Sequence, residues 1–234
     1  NNKILTKCQI SANRNRGFLL TLVVAAILFF AGLGHFPLFE PDEGRNAEVA
    51  REIIELEDWI TPHYNGLTYL DKPMLFFWMV ATSFKALGTS AMAARLPSAL
   101  MALATVILTW LWARRIKVGR VKAALILAST PFMIAFSRIV IFDMTLAFLV
   151  SLSLFGFWGF ERSRFQKVRY SLLFFGSMGL ATITKGPVGF LLPLLTIFTY
   201  LGFLGRWKDL RRLHWGPGLI VFIAMALPWF LAVS

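Results

Sequence analysis

The chain has 234 residues, 57% hydrophobic and 15% charged, and its 24 Lys and Arg against 12 Asp and Glu leave a net charge of +12. Soluble domains average roughly 45–50% apolar and about 25% charged, so this composition, with a mean hydropathy of +0.67, excludes an ordinary globular enzyme. Abundant apolar residues and a single cysteine, Cys8, also exclude a disordered chain and a disulfide scaffold, which leaves a protein of the bilayer.

In chain order, apolar runs lie at 17–34, 96–113, 123–137, 144–160, 170–184, 187–205 and 216–233. A helix needs about 20 residues to cross the hydrocarbon core, range roughly 17–25, so 123–137 and 170–184 must borrow flanking residues. The first run lacks a small-residue cleavage site and reads as a retained anchor. A further apolar segment, 74–88, contains Lys85 and is short enough to lie in the interface instead. With no initiator Met and an end at Ser234 inside an apolar run, the chain is expected to be the N-terminal part of a longer protein.

The basic residues set the topology. They cluster at Lys3, Lys7, Arg14 and Arg16, then at Arg114, Arg115, Lys117, Arg120 and Lys122. Two more clusters follow, at Arg162, Arg164, Lys167 and Arg169 and at Arg206, Lys208, Arg211 and Arg212. If 74–88 stays out of the membrane, one side holds 17 of the 24 basic residues and 2 of the 12 acids. If 74–88 crosses, the 114–122 cluster moves to the other side and the bias is lost. The positive-inside tendency therefore predicts an all-α, polytopic fold of about seven transmembrane helices. The N-terminus and Cys8 are then cytoplasmic, with juxtamembrane helices in an external loop over 35–95. The excess of cations is thereby a matter of topology, and no nucleic acid is implied.

Nine of the 12 acids fall in one external stretch, 40–71, which orientation does not demand because acids contribute little to topology. There Pro41-Asp42-Glu43, followed by Ala47, Ala50, Ile53 and Ile54, reads as a helix start with one apolar face. Asp42 is either an N-cap or a working carboxylate, with Glu43 beside it. A loop with an Asn65-Gly66 turn leads to Tyr69-Leu70-Asp71-Lys72-Pro73, whose Pro is placed to open a helix over 74–88. Asp71 is a further cap candidate and Lys72 a loop cation. Arg138 and Asp143 share a short external turn, and Lys185 ends a span; charges at such depth face a cavity or a partner. The alternatives are an Arg138–Asp143 pair and a snorkelling Lys185. No His-rich metal motif or Walker loop is present. No cofactor is required by the pattern, though Asp42, Glu43 or Asp71 could ligate a hard divalent cation.

Carboxylates and cations at a membrane surface suit a substrate with a lipid tail and a phosphate head. The order of residues from Phe36-Pro37-Leu38-Phe39-Glu40-Pro41-Asp42-Glu43-Gly44-Arg45 through Asp58-Trp59-Ile60, Pro62-His63 and Tyr69 to Asp71-Lys72-Pro73 resembles the first external loop of the bacterial lipid A aminoarabinose transferases. Thr184-Lys185-Gly186, Arg206-Trp207-Lys208-Asp209-Leu210 and Leu227-Pro228-Trp229 extend the likeness over nearly the whole chain. The wider group is the GT-C membrane glycosyltransferases, which include the protein O-mannosyltransferases. Two positions depart: Asp71 stands where the aminoarabinose enzymes have Glu, and Pro187 where they have an apolar residue.

The resemblance implies a glycosyltransferase of the bacterial inner membrane with a periplasmic active site and a missing C-terminal soluble domain. It would take a sugar from a polyprenyl-phosphate carrier to a lipid, glycan or protein acceptor. By position, Asp42 matches the catalytic or acceptor-orienting carboxylate, with Arg45 nearby. Tyr69, Asp71 and Lys72 match the donor-phosphate site, and Asp143 and Lys185 match cavity residues. Two other classes compete. A transporter would place its ionisable groups near the midplane on broken or repeated helices, whereas here they sit at span ends and in one loop, with no internal repeat. A non-catalytic scaffold with an acidic external loop predicts no effect of Asp42→Asn.

Overall fold

The structure is a computed structural model that describes the backbone of residues 2–233 and the side chains of 16–233; predictions on Lys3, Lys7, Cys8 and Arg14 lie outside the described side chains. Helix α1 (Asn2–Phe30) leads to α2 (Asp42–Glu55), a two-stranded hairpin of β1 (His63–Tyr64) and β2 (Leu67–Thr68), and α3 (Leu75–Leu87). Then come α4 (Ala91–Arg115), α5 (Arg120–Ala128), α6 (Pro131–Ser137), α7 (Asp143–Arg162) and α8 (Lys167–Lys185). Helices α9 (Val188–Phe203), α10 (Trp207–Leu210) and α11 (Trp215–Val233) complete the chain.

Each apolar run is helical, as its composition predicts, but 123–137 is not one helix. It divides into α5 and α6 with a bend of 61°, because Pro131 lacks an N–H and opens α6 instead of continuing α5. Among the described residues, α4, α7 and α11 are long and apolar enough to cross a membrane, and the α5–α6 pair would make a fourth span. Length and hydropathy alone thus select three or four of the seven expected spans. Helix α3 has 13 residues, about 20 Å at 1.5 Å per residue, too short for a core of about 30 Å. It lies instead beside α2, burying Phe76, Phe77, Val80, Ala81 and Phe84 in a core shared with Val49, Ala50 and Ile53. Helix α3 begins at Leu75, with Pro73 in the approach and Met74 as N-cap, so the expected Pro-first start is displaced by two residues.

Small residues let α7 and α8 approach closely. A Cβ on Gly156 would stand 2.8 Å from the Phe174 amide nitrogen, and one on Gly159 would stand 2.4 Å from the Tyr170 ring. Helices α7 and α8 therefore touch backbone to backbone, as apolar helices do where lipid supplies no hydrophobic drive.

The segment between α2 and α3 is pinned to this bundle by indole donors. Trp78 Nε1 donates to the Trp59 carbonyl at 2.7 Å and Trp229 Nε1, from α11, to the Ile60 carbonyl at 2.9 Å. Asp58 Oδ1 accepts from the Ile60 and Thr61 amides, which holds the turn between them. Asn65 and Gly66 occupy left-handed conformations, φ 54° and 74°, as a two-residue hairpin turn requires. The predicted turn is therefore present.

Candidate active site

The first turn of α2 explains what Asp42 is free to do. The Glu43 and Gly44 amides donate to the Phe39 carbonyl and the Arg45 amide to the Pro41 carbonyl. Backbone groups thus satisfy donors that a side-chain cap would otherwise serve. Asp42 makes no cap hydrogen bond, and Pro41 is the N-cap. The N-cap reading of Asp42 is overturned for that reason. Its carboxylate is 64% exposed and pairs with Arg45 Nη2 at 2.5 Å, while Arg45 Nε is buried and bonded to nothing among the described groups.

Tyr69, Asp71 and Lys72 gather near this pair. Tyr69 Oη donates to Asp71 Oδ2 at 3.2 Å, and Lys72 Nζ lies 3.0 Å from the same oxygen. Lys72 hydrogen bonding, with help from Tyr69 and Arg45, holds the Asp71 carboxyl below its ordinary value. Burial raises the Tyr69 phenol, and the charges of Arg45, Asp71 and Asp42 all act on it, while Lys72 acts on Asp71. Asp71 caps no helix; α3 has no side-chain cap.

Glu43 departs from the expectation of a working carboxylate. It is 1% exposed, and its oxygens accept from Arg95 Nε at 2.9 Å and Nη2 at 2.7 Å. They also accept from the Val140 amide at 2.9 Å and the Phe39 amide at 3.0 Å. Burial acts to raise this carboxyl, but the Arg95 bonds and the two amides outweigh it and leave it below its ordinary value. Arg95 spends its remaining donors on the Leu33, Phe36 and Pro37 carbonyls. With no exposed face and no spare lone pair, Glu43 cannot touch a substrate. It joins the end of α1, the start of α2, α4 and the turn before α7. Asn46, one turn on, donates to the Val140 carbonyl at 2.9 Å and strengthens the same joint.

Arg95 was the residue to miss. It stands one position before the 96–113 run, so a reading that begins each span at its first unbroken apolar residue passes over it. A buried Arg at a helix entry is costly without a partner, and that cost is the signal that could have found it.

The remaining charges sort differently from the expectation. Arg138 and Asp143 do not pair. Arg138 Nη1 donates to the Leu28 carbonyl at 3.2 Å, near the C-terminal end of α1, where a cation complements the helix dipole. Asp143 pairs with Lys185 Nζ at 2.7 Å, with side chains 37% and 31% exposed. Neither the internal pair nor the snorkelling reading of Lys185 survives; α7 starts and α8 ends at the same level, so the two charges meet. Phe142 connects this pair to the Asp42 group: its ring lies 5.2 Å from Phe77, which lies 6.5 Å from Tyr69. A cavity of about 350 Å³ runs from Asp143 along Phe132, Phe136, Met144 and Leu192 and is almost wholly apolar.

The donors for a divalent cation are few. Glu43 is consumed, Asp71 is shared by Lys72 and Tyr69, and Asp42 faces Arg45. Among the described residues no three His, Cys, Asp or Glu side chains converge on one point.

Comparison with known proteins gives a consistent result. A family model described as dolichyl-phosphate-mannose-protein mannosyltransferase matches residues 16–234. An uncharacterized protein of Aquifex aeolicus is 33% identical over 217 residues, covering 92% of this chain and 43% of that protein. The undecaprenyl phosphate-alpha-4-amino-4-deoxy-L-arabinose arabinosyl transferase of Pseudomonas paraeruginosa is 30% identical over 230 residues, covering 94% and 41% respectively. Among solved structures, ArnT from Cupriavidus metallidurans bound to undecaprenyl phosphate superposes with a TM-score of 0.84 at 31% identity, over 93% of this chain and 41% of that one. Its apo form gives a TM-score of 0.87. The chain thus spans about two-fifths of the length of these relatives. Together with the apolar helices, these likenesses make it part of an integral membrane protein.

Proposed function

The chain belongs to the dolichyl-phosphate-mannose-protein mannosyltransferase family, and from that premise we propose that it forms the donor-binding and catalytic part of a polyprenyl-phosphate-sugar-dependent glycosyltransferase. The full-length protein transfers the sugar to a lipid, glycan or protein acceptor. It sits in the bacterial inner membrane, with the basic ends of the helices cytoplasmic and the Asp42 group periplasmic. The observation that carries this reading is Asp42 itself: a carboxylate relieved of capping, exposed, and held against Arg45 beside Tyr69, Asp71 and Lys72.

The chemistry follows from those groups. The acceptor hydroxyl attacks the anomeric carbon, Asp42 takes its proton, and the bond from that carbon to the phosphate oxygen breaks with inversion. The electron pair leaves with the polyprenyl phosphate, whose charge Lys72, Arg45 and Lys185 neutralise. Tyr69 and Asp71 orient Lys72. The apolar cavity that starts at Asp143 accommodates part of the prenyl chain. Glu43 serves as a positioning residue, because it fixes the first turn of α2 against the turn before α7.

Native mass spectrometry of the full-length parent protein with a panel of polyprenyl-phosphate sugars tests this. One donor should be retained selectively by wild type and lost in Lys72→Ala. Equal retention in both, or none in either, would reduce the likeness to a shared fold and favour the scaffold or transport readings.

A further inference from the structure

At the end of the bundle opposite Asp42, helices α4 and α7 terminate side by side around a cavity of about 480 Å³ lined by Arg115, Ile116, Lys117, Trp158 and Arg162. A positive-inside bias asks only that cations lie on this side; it does not ask that three of them line one cavity. Nor does it account for how two of them are held.

Arg115 is oriented by an aromatic wall and not by a carboxylate. Its Nη1 donates to Tyr170 Oη at 2.8 Å, and its guanidinium carbon lies 5.9 Å from the Phe155 and Tyr170 ring centroids. Phe155 in turn stacks on Trp158 at 6.2 Å. Tyr170 reaches this position because Gly159 leaves room for its ring against α7. Lys117 occupies the left-handed position just past the end of α4, φ 60°, where the Val118 amide returns to the Ala113 carbonyl at 3.1 Å. Helices usually place Gly there because a side chain is strained in that conformation. Here a cation stands in the strained position, beside the cavity.

The carboxylates at this end are taken elsewhere. Glu161 pairs with Arg206 at 3.0 Å, and Asp209 pairs with Arg206 at 2.6 Å and Arg212 at 3.2 Å. Arg115, Lys117 and Arg162 therefore face the cavity without an internal counter-ion among the described residues. Two guanidinium groups and an ammonium around a cavity with an indole wall match a phosphodiester headgroup. Cations suit its oxygens, and indole side chains favour the boundary between headgroup and acyl chain.

We propose that this cavity is a binding site for the headgroup of an anionic phospholipid, separate from the transferase site. It does not depend on the activity proposed above. The full-length protein in detergent is titrated with dioleoylphosphatidylglycerol, with dioleoylphosphatidylcholine and with inorganic phosphate, and retained molecules are counted by native mass spectrometry. Wild type should retain phosphatidylglycerol over phosphatidylcholine. Lys117→Gly removes one cation and relieves the strained backbone, so it should keep its fold and lose about fivefold in phosphatidylglycerol affinity. Arg115→Gln and Arg162→Gln should each lose a similar factor, whereas Arg164→Gln and Lys208→Gln, on the same face outside the cavity, should lose none. Undiminished retention by Lys117→Gly, or equal losses in the two control variants, would overturn the site in favour of a diffuse basic surface. Displacement of the lipid by inorganic phosphate alone would overturn the lipid assignment in favour of a soluble phosphate.

Discussion

Glu43–Arg95 and Asp143–Lys185 are the same kind of ion pair, each with a closest contact of 2.7 Å, yet the side chains of the first are 2% and 4% exposed and those of the second 37% and 31%. In the first, both partners are saturated by further bonds to five other residues: Leu33, Phe36, Phe39, Pro37 and Val140. In the second, the single bond between the charges leaves other donor and acceptor positions open. Burial with full satisfaction makes a joint; partial exposure beside a cavity leaves charges with bonding positions still open. The two pairs are coupled in space through the 138–143 turn, so the joint determines where the open pair stands.

The largest effect should follow from breaking the joint. Arg95→Met leaves the Glu43 carboxylate buried and uncompensated, a loss of about 3–5 kcal/mol, and thermal unfolding of the full-length protein should show it. Adding Glu43→Leu should recover little, because the Val140 and Phe39 amides and three carbonyls would still be orphaned. Recovery to near wild type would mean the pair acts alone and not as part of a joint.

Asp42→Asn tests the contrast from the other side. It removes a proton acceptor from an exposed side chain, so transfer should fall by about 10²–10⁴-fold while membrane insertion and melting temperature stay unchanged. Retained transfer would remove Asp42 from the chemistry.

Opening the second pair should cost little stability. For Lys185→Ala we expect at most about 1 kcal/mol, since half-exposed pairs are worth little, together with weaker retention of the polyprenyl donor. A destabilisation as large as that of Arg95→Met would erase the distinction between the two pairs.

The smallest effect is a pH slope. The Glu43 carboxyl is held below its ordinary value of 4.5 in the folded protein, so the unfolded chain binds the proton more readily. Its contribution is fully present above pH 4.5 and is lost as pH falls below that value. Melting temperatures measured from neutral pH downward should drop more steeply for wild type than for Glu43→Gln; parallel curves would contradict the assignment.

Much of the 35–95 segment was legible because its signals are local. Asn65-Gly66 fixed a hairpin, the shortness of 74–88 matches the 13-residue α3 packed beside α2, and the motif from Phe36 to Pro73 gathered Asp42, Arg45, Tyr69, Asp71 and Lys72, which do lie together. The alternatives that the structure removes share a cause. An N-cap role for Asp42 stays open in the sequence because the sequence does not show that the Phe39 and Pro41 carbonyls already serve the first turn. An Arg138–Asp143 pair stays open likewise because Arg138 is five positions away, whereas Lys185 is 42.

What the sequence determined by itself is the class of molecule and the identity of its segments: hydropathy demands helices in a bilayer, the distribution of cations orders their ends, and turn residues punctuate them. What only the tertiary structure decided is which charge answers which. Glu43 and Arg95 are 52 positions apart, and no periodicity relates residues on different elements. Their pairing is imposed by the cost of leaving either charge buried alone, a cost that exists only once the helices have packed.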